Sequence, residues 1–228
     1  MSLLADVASW FAQPEQWSGP GGIPVRFAEH LYYSLLALLA AAVIAIPVGL
    51  LTGHTGRGGF AAISLANFAR ALPTIGVLTL VVLGMGLGLV PVLVALVALA
   101  VPPVLVNTYE GVRGVDPQLT DAARGMGMRG REVLWSLEIP MAMPLILLGL
   151  RTAAIQVVST ATIAAYVGIG GLGRFIVDGQ SQQIIEQILG GALLVVLLAL
   201  AVTTLFALLR RRVIAPGLRA RSAASPAN

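Results

Sequence analysis

Long apolar runs alternate with short polar or glycine-rich stretches along this chain. A helix needs ~20 apolar residues to cross a bilayer, and five segments approach that length. Leu31 to Leu51 is the first, with Tyr32 and Tyr33 where an aromatic belt would sit. Residues 59–84 form a second, less regular segment carrying Asn67 and Arg70, and Pro73 predicts a kink or break in it. Leu87 to Val106 is the third, with Pro102-Pro103 near its end, and Met141 to Val167 is the fourth, carrying Arg151 and Gln156. Ile188 to Leu209 is the fifth and holds no charge. The pattern predicts an all-α, polytopic membrane protein with five core transmembrane helices, and no internal repeat is visible.

Between the third and fourth segments lies a charged island, residues 113–140. Asp116-Pro117 reads as a helix start, because Asp caps free amides and Pro fits the first helical position. The helix should run through Ala122-Ala123 to about Arg124, where Gly125 and Gly127 end it. A second helical piece is expected over 130–138, stopped by Pro140. Ala122 and Ala123 are small enough for a partner backbone to approach, Asp121 offers a charge, and Gly127 permits a sharp bend. Two readings stand on these residues alone: a docking element gripped by a partner, or a solvated amphipathic loop joining two spans.

Composition narrows the class. Of 228 residues, 57% are hydrophobic and 11% charged, against ~25% charged in soluble domains. All 14 basic residues are arginine. A phosphate-binding loop of the GxxxxGK[ST] type needs a lysine, so ATP hydrolysis must come from another chain. Cysteine is absent, which excludes disulfides, thiolate metal sites and a cysteine nucleophile. The net charge of +4 does not indicate nucleic acid, since the arginines sit at the ends of apolar segments. With five spans, one side receives Arg57, four arginines of the 113–131 stretch, Arg210, Arg211, Arg212, Arg219 and Arg221; the other receives Arg26 and Arg174. The arginine-rich side is expected to be cytoplasmic, which places the island and the C-terminus inside and the N-terminus outside. Arg70 and Arg151 fall near cytoplasmic span ends, where they can snorkel.

The remaining polar features add less. Residues 1–12 lack the basic start of a signal peptide. Leu3, Leu4, Val7, Trp10 and Phe11 recur at helical spacing, so an interfacial helix and a frayed terminus are both open. Gly168 to Gly173 matches GxGxxG only as letters, because it follows an apolar helix rather than a strand. His30 and His54 lie at opposite ends of the first span and cannot share a metal, so both are expected at the interface. Asp178 and Glu186 are expected in an outer loop, as solvated charges or contacts for a soluble partner. Arg151 is expected to meet Glu138 or a lipid phosphate. Pathway candidates are the polar or aromatic positions Asn67, Phe68, Gln156, Ser159, Thr160, Thr162 and Tyr166, since polar groups at membrane depth face the bundle interior or a wet cavity. Helix–helix hydrogen bonding is the alternative role for each. No carboxylate lies deep in a span, which argues against a proton-coupled carrier.

Asp121-Ala122-Ala123, three residues, Gly127, nine residues, then Leu137-Glu138-Ile139-Pro140 resembles the EAA motif of permease subunits of bacterial ABC importers with the methionine-importer-like fold. Asp121 replaces the family's Glu. Arg70 to Gly76, Asn107 to Gly111, Val115-Asp116-Pro117, Ala122 to Met128, Gly149 to Ala153 and Ile169 to Gly173 look like the narrower group of osmoprotectant importer permeases. The resemblance implies a permease domain over 28–212 with the coupling loop 113–140; residues 1–27 are expected as a periplasmic or interfacial segment, and the Pro-, Gly-, Ala-, Ser- and Arg-rich tail 213–228 as disordered and cytoplasmic. It implies that Asp121, Ala122, Ala123, Arg124, Gly125, Met126, Gly127 and Met128 form a coupling helix seated in a cytoplasmic ATPase.

The implied system is a non-catalytic membrane subunit in the bacterial cytoplasmic (inner) membrane. ATP and Mg would be bound by a partner ATPase dimer. A second permease chain, identical or related, an extracytoplasmic binding protein and membrane lipid would complete the assembly, with no cofactor or metal in this chain. The implied solutes are glycine betaine, choline, carnitine or similar zwitterions. A methionine-type amino-acid importer permease is the main alternative. A self-contained channel or secondary carrier is a more remote one, since carriers commonly show paired halves, and a non-transporting scaffold is a third.

Overall fold

In lipid every backbone polar group must be satisfied within the chain, and the described residues answer with helices throughout. The computed structural model describes residues 3–213, the side chain of Arg70 excepted. The tail, with Arg219 and Arg221, and the snorkelling of Arg70 lie outside the described residues. The helices are α1 (Leu3–Ala12), α2 (Ile23–Thr55), α3 (Gly59–Ala71), α4 (Thr74–Met85), α5 (Leu89–Arg113), α6 (Pro117–Gly125), α7 (Gly130–Val133), α8 (Ile139–Thr160), α9 (Gly173–Gln182) and α10 (Ile185–Val213). A 3-10 turn covers Pro14–Trp17, a π turn Leu134–Glu138, and a 3-10 stretch Ala161–Val167. Four helical runs are long and apolar enough to cross a membrane: α2, α5, the continuous run Gly130–Val167, and α10. The pair α3 and α4 makes a fifth candidate.

The predicted interruption at Pro73 is present. Pro73 is extended (φ −61°, ψ 125°) and caps α4, which separates it from α3. Two other proline readings need correction. Pro102 and Pro103 do not lie near the end of their helix; α5 continues to Arg113. Asn107 Nδ2 donates to the Pro103 carbonyl at 2.7 Å, and Thr108 Oγ1 donates to Val104 O at 2.7 Å, adding local bonds beyond the prolines. Pro140 does not stop the helix either. A proline ring crowds the carbonyl four residues back and offers it no donor. Here the preceding turn widens to π geometry, and Ile139 N–H reaches back to Leu134 O. The helix therefore passes through Pro140 into α8.

The chain divides into two compact units. Unit 1 comprises Met1–Ala40, Ala71–Ala100 and Ala154–Val202; unit 2 comprises Ala41–Arg70, Val101–Ala153 and Thr203–Asn228. The core of unit 1 gathers Trp10, Ile23, Val158, Leu172, Phe175, Val195 and Leu198. Trp10 is 2% exposed and meets the Phe175 ring edge-on at 5.4 Å. Residues 3–12 are thus helical, and their one buried side chain packs against protein rather than lying only at the interface. Gly190, one turn into α10, faces the Trp10 ring and leaves room for it.

Unit 2 is held by close backbone approach at small residues. Ala41, Ala45, Gly49 and Gly53 recur every fourth position of α2, on its buried side. A Cβ on Gly49 would lie 2.7 Å from Thr108 Cβ, and one on Gly53 would lie 2.8 Å from Val112 Cβ. From α8, a Cβ on Gly149 would lie 2.8 Å from Pro103 O. Helices in lipid gain no hydrophobic energy by meeting each other, so association rests on such packing. Gly149→Leu is expected to cost about 1–3 kcal/mol by overpacking and to lower the thermal midpoint in detergent. Gly84→Leu, where nothing lies within 4 Å, is expected to leave the midpoint unchanged or raise it. Equal midpoints for the two variants would contradict this packing account.

Candidate functional site

The island builds a short, sharply bounded helix. Asp116 Oδ1 accepts the Gln118 amide at 2.9 Å, with Pro117 in the first turn, as expected of the start. At the other end Gly127 N–H donates to Arg124 O and Met128 N–H donates to Ala123 O. This is the paired pattern of a Schellman stop, and Gly127 adopts the positive φ of 92° that it requires. Of the two glycines expected to end the helix, Gly127 does so, while Gly125 is still helical. α7 then begins where Glu132 Oε2 accepts the Arg129 amide at 2.7 Å.

The exposed face of α6 and its turn carries Asp121, Ala122, Arg124, Gly125, Met126 and Gly127, with Met128 half-buried. Ala123 points the other way and is 4% exposed. So the expectation that both alanines lie on the open surface is corrected: Ala122 is exposed, and Ala123 packs inward. Asp121 and Arg124 sit 3.6 Å apart, both exposed, a pairing worth little in water. Met126, 78% exposed, is the large apolar side chain of this surface.

Behind the island lies a contact that the residue pattern did not reveal. His54, in the last turn of α2, donates from Nδ1 to Oε2 of Glu138 at 2.6 Å. Glu138 closes the π turn and is only 5% exposed. A Cβ on Gly130 would come within 3.5 Å of His54 Nε2. His54 is therefore not merely interfacial, and Glu138 does not pair with Arg151. Instead Arg151 lines a cavity with Arg210 and Arg211. The partners are 84 residues apart; the only sequence signal was two polar residues at the ends of apolar segments.

The glycine-rich stretch 168–173 is held in unit 1. Glu29 Oε2 accepts the Gly171 amide at 2.8 Å and Arg26 Nη1 at 3.0 Å. His30, expected at the interface, is fully buried, and its Nε2 donates to Val158 O at 2.9 Å. Asp178 and Glu186 are not loop residues: Asp178 lies in α9 and pairs with Arg174 at 2.6 Å, and Glu186 stands in the first turn of α10.

The pathway candidates divide between the units. In unit 2, Asn67 and Phe68 are exposed on α3, Phe68 by 64%. In unit 1, Ser159 and Tyr166 are exposed, and Gln156, Thr160 and Thr162 are half-buried. Thr162 Oγ1 donates to Ser159 O, and the Tyr166 hydroxyl donates to Gln180 Oε1 at 3.1 Å. Thr160 lines a cleft of about 10 Å³, room for no more than one water. Among the described residues no cluster of three metal-ligating side chains occurs.

The decisive match is to a family model described as "Binding-protein-dependent transport system inner membrane component", which covers residues 45–219. This chain belongs to that family. The permease is 37% identical to the glycine betaine/carnitine/choline transport system permease protein OpuCB of Bacillus subtilis, over 87% of this chain and 92% of that protein. It is 35% identical, with the same coverage of both, to the choline transport system permease protein OpuBB of that organism. Among solved structures, the inward-facing MetNI methionine ABC transporter matches with a TM-score of 0.69 and 23% identity, over 81% of this chain and 93% of that one. An amino acid ABC transporter crystallised with histidines matches at 0.72 and 20%, over 93% and 99%. At such identities these two establish the fold alone, and it is the fold that the EAA-like spacing implied.

The buried pair makes a prediction for the permease. Removing one partner of a buried hydrogen bond costs about 1–3 kcal/mol, because the other polar group is left unsatisfied. Glu138→Ala and His54→Ala should each lower the thermal midpoint, and the double variant should lose clearly less than their sum. Strict additivity would mean that the two side chains do not interact.

Proposed function

We propose that this chain is the membrane subunit of an ATP-driven importer for glycine betaine, choline, carnitine or a similar quaternary ammonium zwitterion. The observation that carries the reading is sequence identity of 35–37% across most of the chain to permeases named for those solutes. The methionine-type alternative is weaker, since its support is a likeness of fold at 23% identity. In this reading five spans cross the bacterial inner membrane, the N-terminus is outside, and the island faces the cytoplasm, where arginines are abundant.

Two permease chains would form the route, identical or related, with an ATPase dimer below and a binding protein outside. ATP and Mg would belong to the ATPase. The exposed surface Asp121, Ala122, Arg124, Gly125, Met126 and Gly127 would seat in a cleft of the ATPase. Ala123 would hold α6 against the rest of unit 2, and Met128 would cover the turn. Closure of the ATPase would move α6. The motion would pass along α7 and the π turn into α8, and across the Glu138–His54 contact into α2. Exchange between outward-open and inward-open states then rests on which state each partner binds better.

Asn67, Phe68, Gln156, Ser159, Thr160, Thr162 and Tyr166 remain the proposed lining of the route. An aromatic face attracts a quaternary ammonium by cation–π contact, which fits Phe68 and Tyr166. A weakly selective route, with selectivity left to the binding protein, fits the small number of such groups.

Uptake of radiolabelled glycine betaine, choline, carnitine and methionine by cells carrying the full system tests the reading. Gly127→Pro cannot adopt the positive φ of the helix stop, and Asp121→Arg reverses the charge of the docking face. Both variants are expected to insert normally, to abolish uptake and to lose solute-stimulated ATP hydrolysis. Normal uptake by both would remove the coupling role. Uptake of methionine and of none of the three ammonium solutes would favour the alternative.

A further inference from the structure

Within unit 2, faces of α8 and α10 wall a cleft of about 620 Å³, within the size range of small-molecule sites. Leu145, Leu148 and Arg151 stand at three-residue intervals, on one face of α8. Phe206 and Arg210 stand one turn apart on α10, with Arg211 beside them. The walls are therefore mainly hydrocarbon, and three guanidinium groups border the same space.

These three charges lack a counter-ion of their own. The ion pairs among the described residues join Arg26 to Glu29, His54 to Glu138, Arg124 to Asp121 and Arg174 to Asp178. None involves Arg151, Arg210 or Arg211. Glu138, the acid that precedes Arg151 along the same helical run, is buried against His54. Residues 187–228 contain no Asp or Glu side chain. Arg210 and Arg211 stand exposed in the last turn of α10, and Arg151 is half-buried on α8, so each can reach an anionic group at the span end. An anion from outside the chain therefore has room to sit against all three.

A small hydrated anion would satisfy the arginines but would leave the Leu and Phe walls against water. A ligand that joins an anionic head to hydrocarbon satisfies both. Arginine matches phosphate oxygens with parallel N–H donors, and basic clefts between transmembrane helices on the cytoplasmic side suit anionic headgroups. We propose that this cleft is a binding site for an anionic glycerophospholipid. Its phosphate lies against Arg151, Arg210 and Arg211, and an acyl chain runs along Leu145, Leu148 and Phe206. The inference rests on the chain spanning a membrane with this end cytoplasmic, as proposed above, and not on which solute is carried.

The test uses the full chain purified with its ATPase, stripped of native lipid and titrated with phosphatidylglycerol or phosphatidylcholine, with bound lipid counted by native mass spectrometry. No solute is involved, so failure here is separable from failure of the transport reading. Phosphatidylglycerol is expected to bind at least about tenfold more tightly. The triple variant Arg151→Gln, Arg210→Gln, Arg211→Gln should lose that preference. Arg57→Gln, Arg113→Gln, Arg131→Gln, which removes as many charges elsewhere, should keep it. Phe206→Ser should weaken both lipids alike. Should the first triple variant fail to fold, the single variants Arg151→Gln and Arg210→Gln carry the same test, each expected to weaken the preference, and an undiminished preference in both would overturn the proposal.

Equal affinity for the two lipids would overturn the proposal. So would complete displacement of phosphatidylglycerol by millimolar inorganic phosphate, which would mark a site for a free anion. The chain has no cysteine of its own, so Leu148→Cys gives a clean probe. Efficient disulfide formation between two Leu148→Cys copies would mean that a second permease covers the cleft, and that too would overturn the proposal.

Discussion

Close backbone contact at small residues is the constraint on which unit 2 depends. Lipid tails are as apolar as leucine, so spans are held by fit and by polar contacts rather than by escape from water. α5 is approached from two directions: by Gly49 and Gly53 of α2, and by Gly149 of α8. A side chain at any of these positions would push a helix off its neighbour. With those approaches fixed, the end of α2 places His54 beside Glu138. The position of the charged island is thus a consequence of packing within the spans, not of the island alone.

The island itself is stiff where a connector would be loose. Asp116 caps its start, Gly127 ends it with two backbone bonds, and Glu132 caps the next turn. The π turn then carries the helix through Pro140 without a break into α8. Such turns occur often at functional sites. A displacement of α6 proposed to arise from an ATPase would meet one bend, at Gly127, and afterwards a continuous helix. The buried Glu138 sits where that helix meets α2, so the proposed motion would reach two spans together.

Much of this was legible from residue order. The apolar runs gave the long helices, because period and length are strong signals in lipid. Pro73, Asp116-Pro117 and Gly127 marked real boundaries, since each imposes local backbone geometry. The EAA-like spacing led to the family, which the match over residues 45–219 establishes. What was illegible was long-range. Pro102-Pro103 and Pro140 read as helix ends because the ring clash and lost donor are what residue order shows, whereas α5 runs on through its prolines and a widened turn carries the helix past Pro140. His30 and His54 read as surface residues because nothing local shows that Val158 and Glu138 await them. The inward turn of Ala123 depended on the phase of a short helix whose two alanines look equivalent in sequence. Asp178 and Glu186 looked like loop charges because α9 is short and polar.

The central claim is that this bundle moves solute only when force enters through α6 from a nucleotide-hydrolysing partner. The most direct measurement is solute accumulation in sealed vesicles holding the permease pair, assayed with the binding protein and either with or without the ATPase and ATP. The account predicts accumulation against a gradient only when both ATPase and ATP are present, and none from the permease alone. Accumulation by vesicles lacking the ATPase would contradict it.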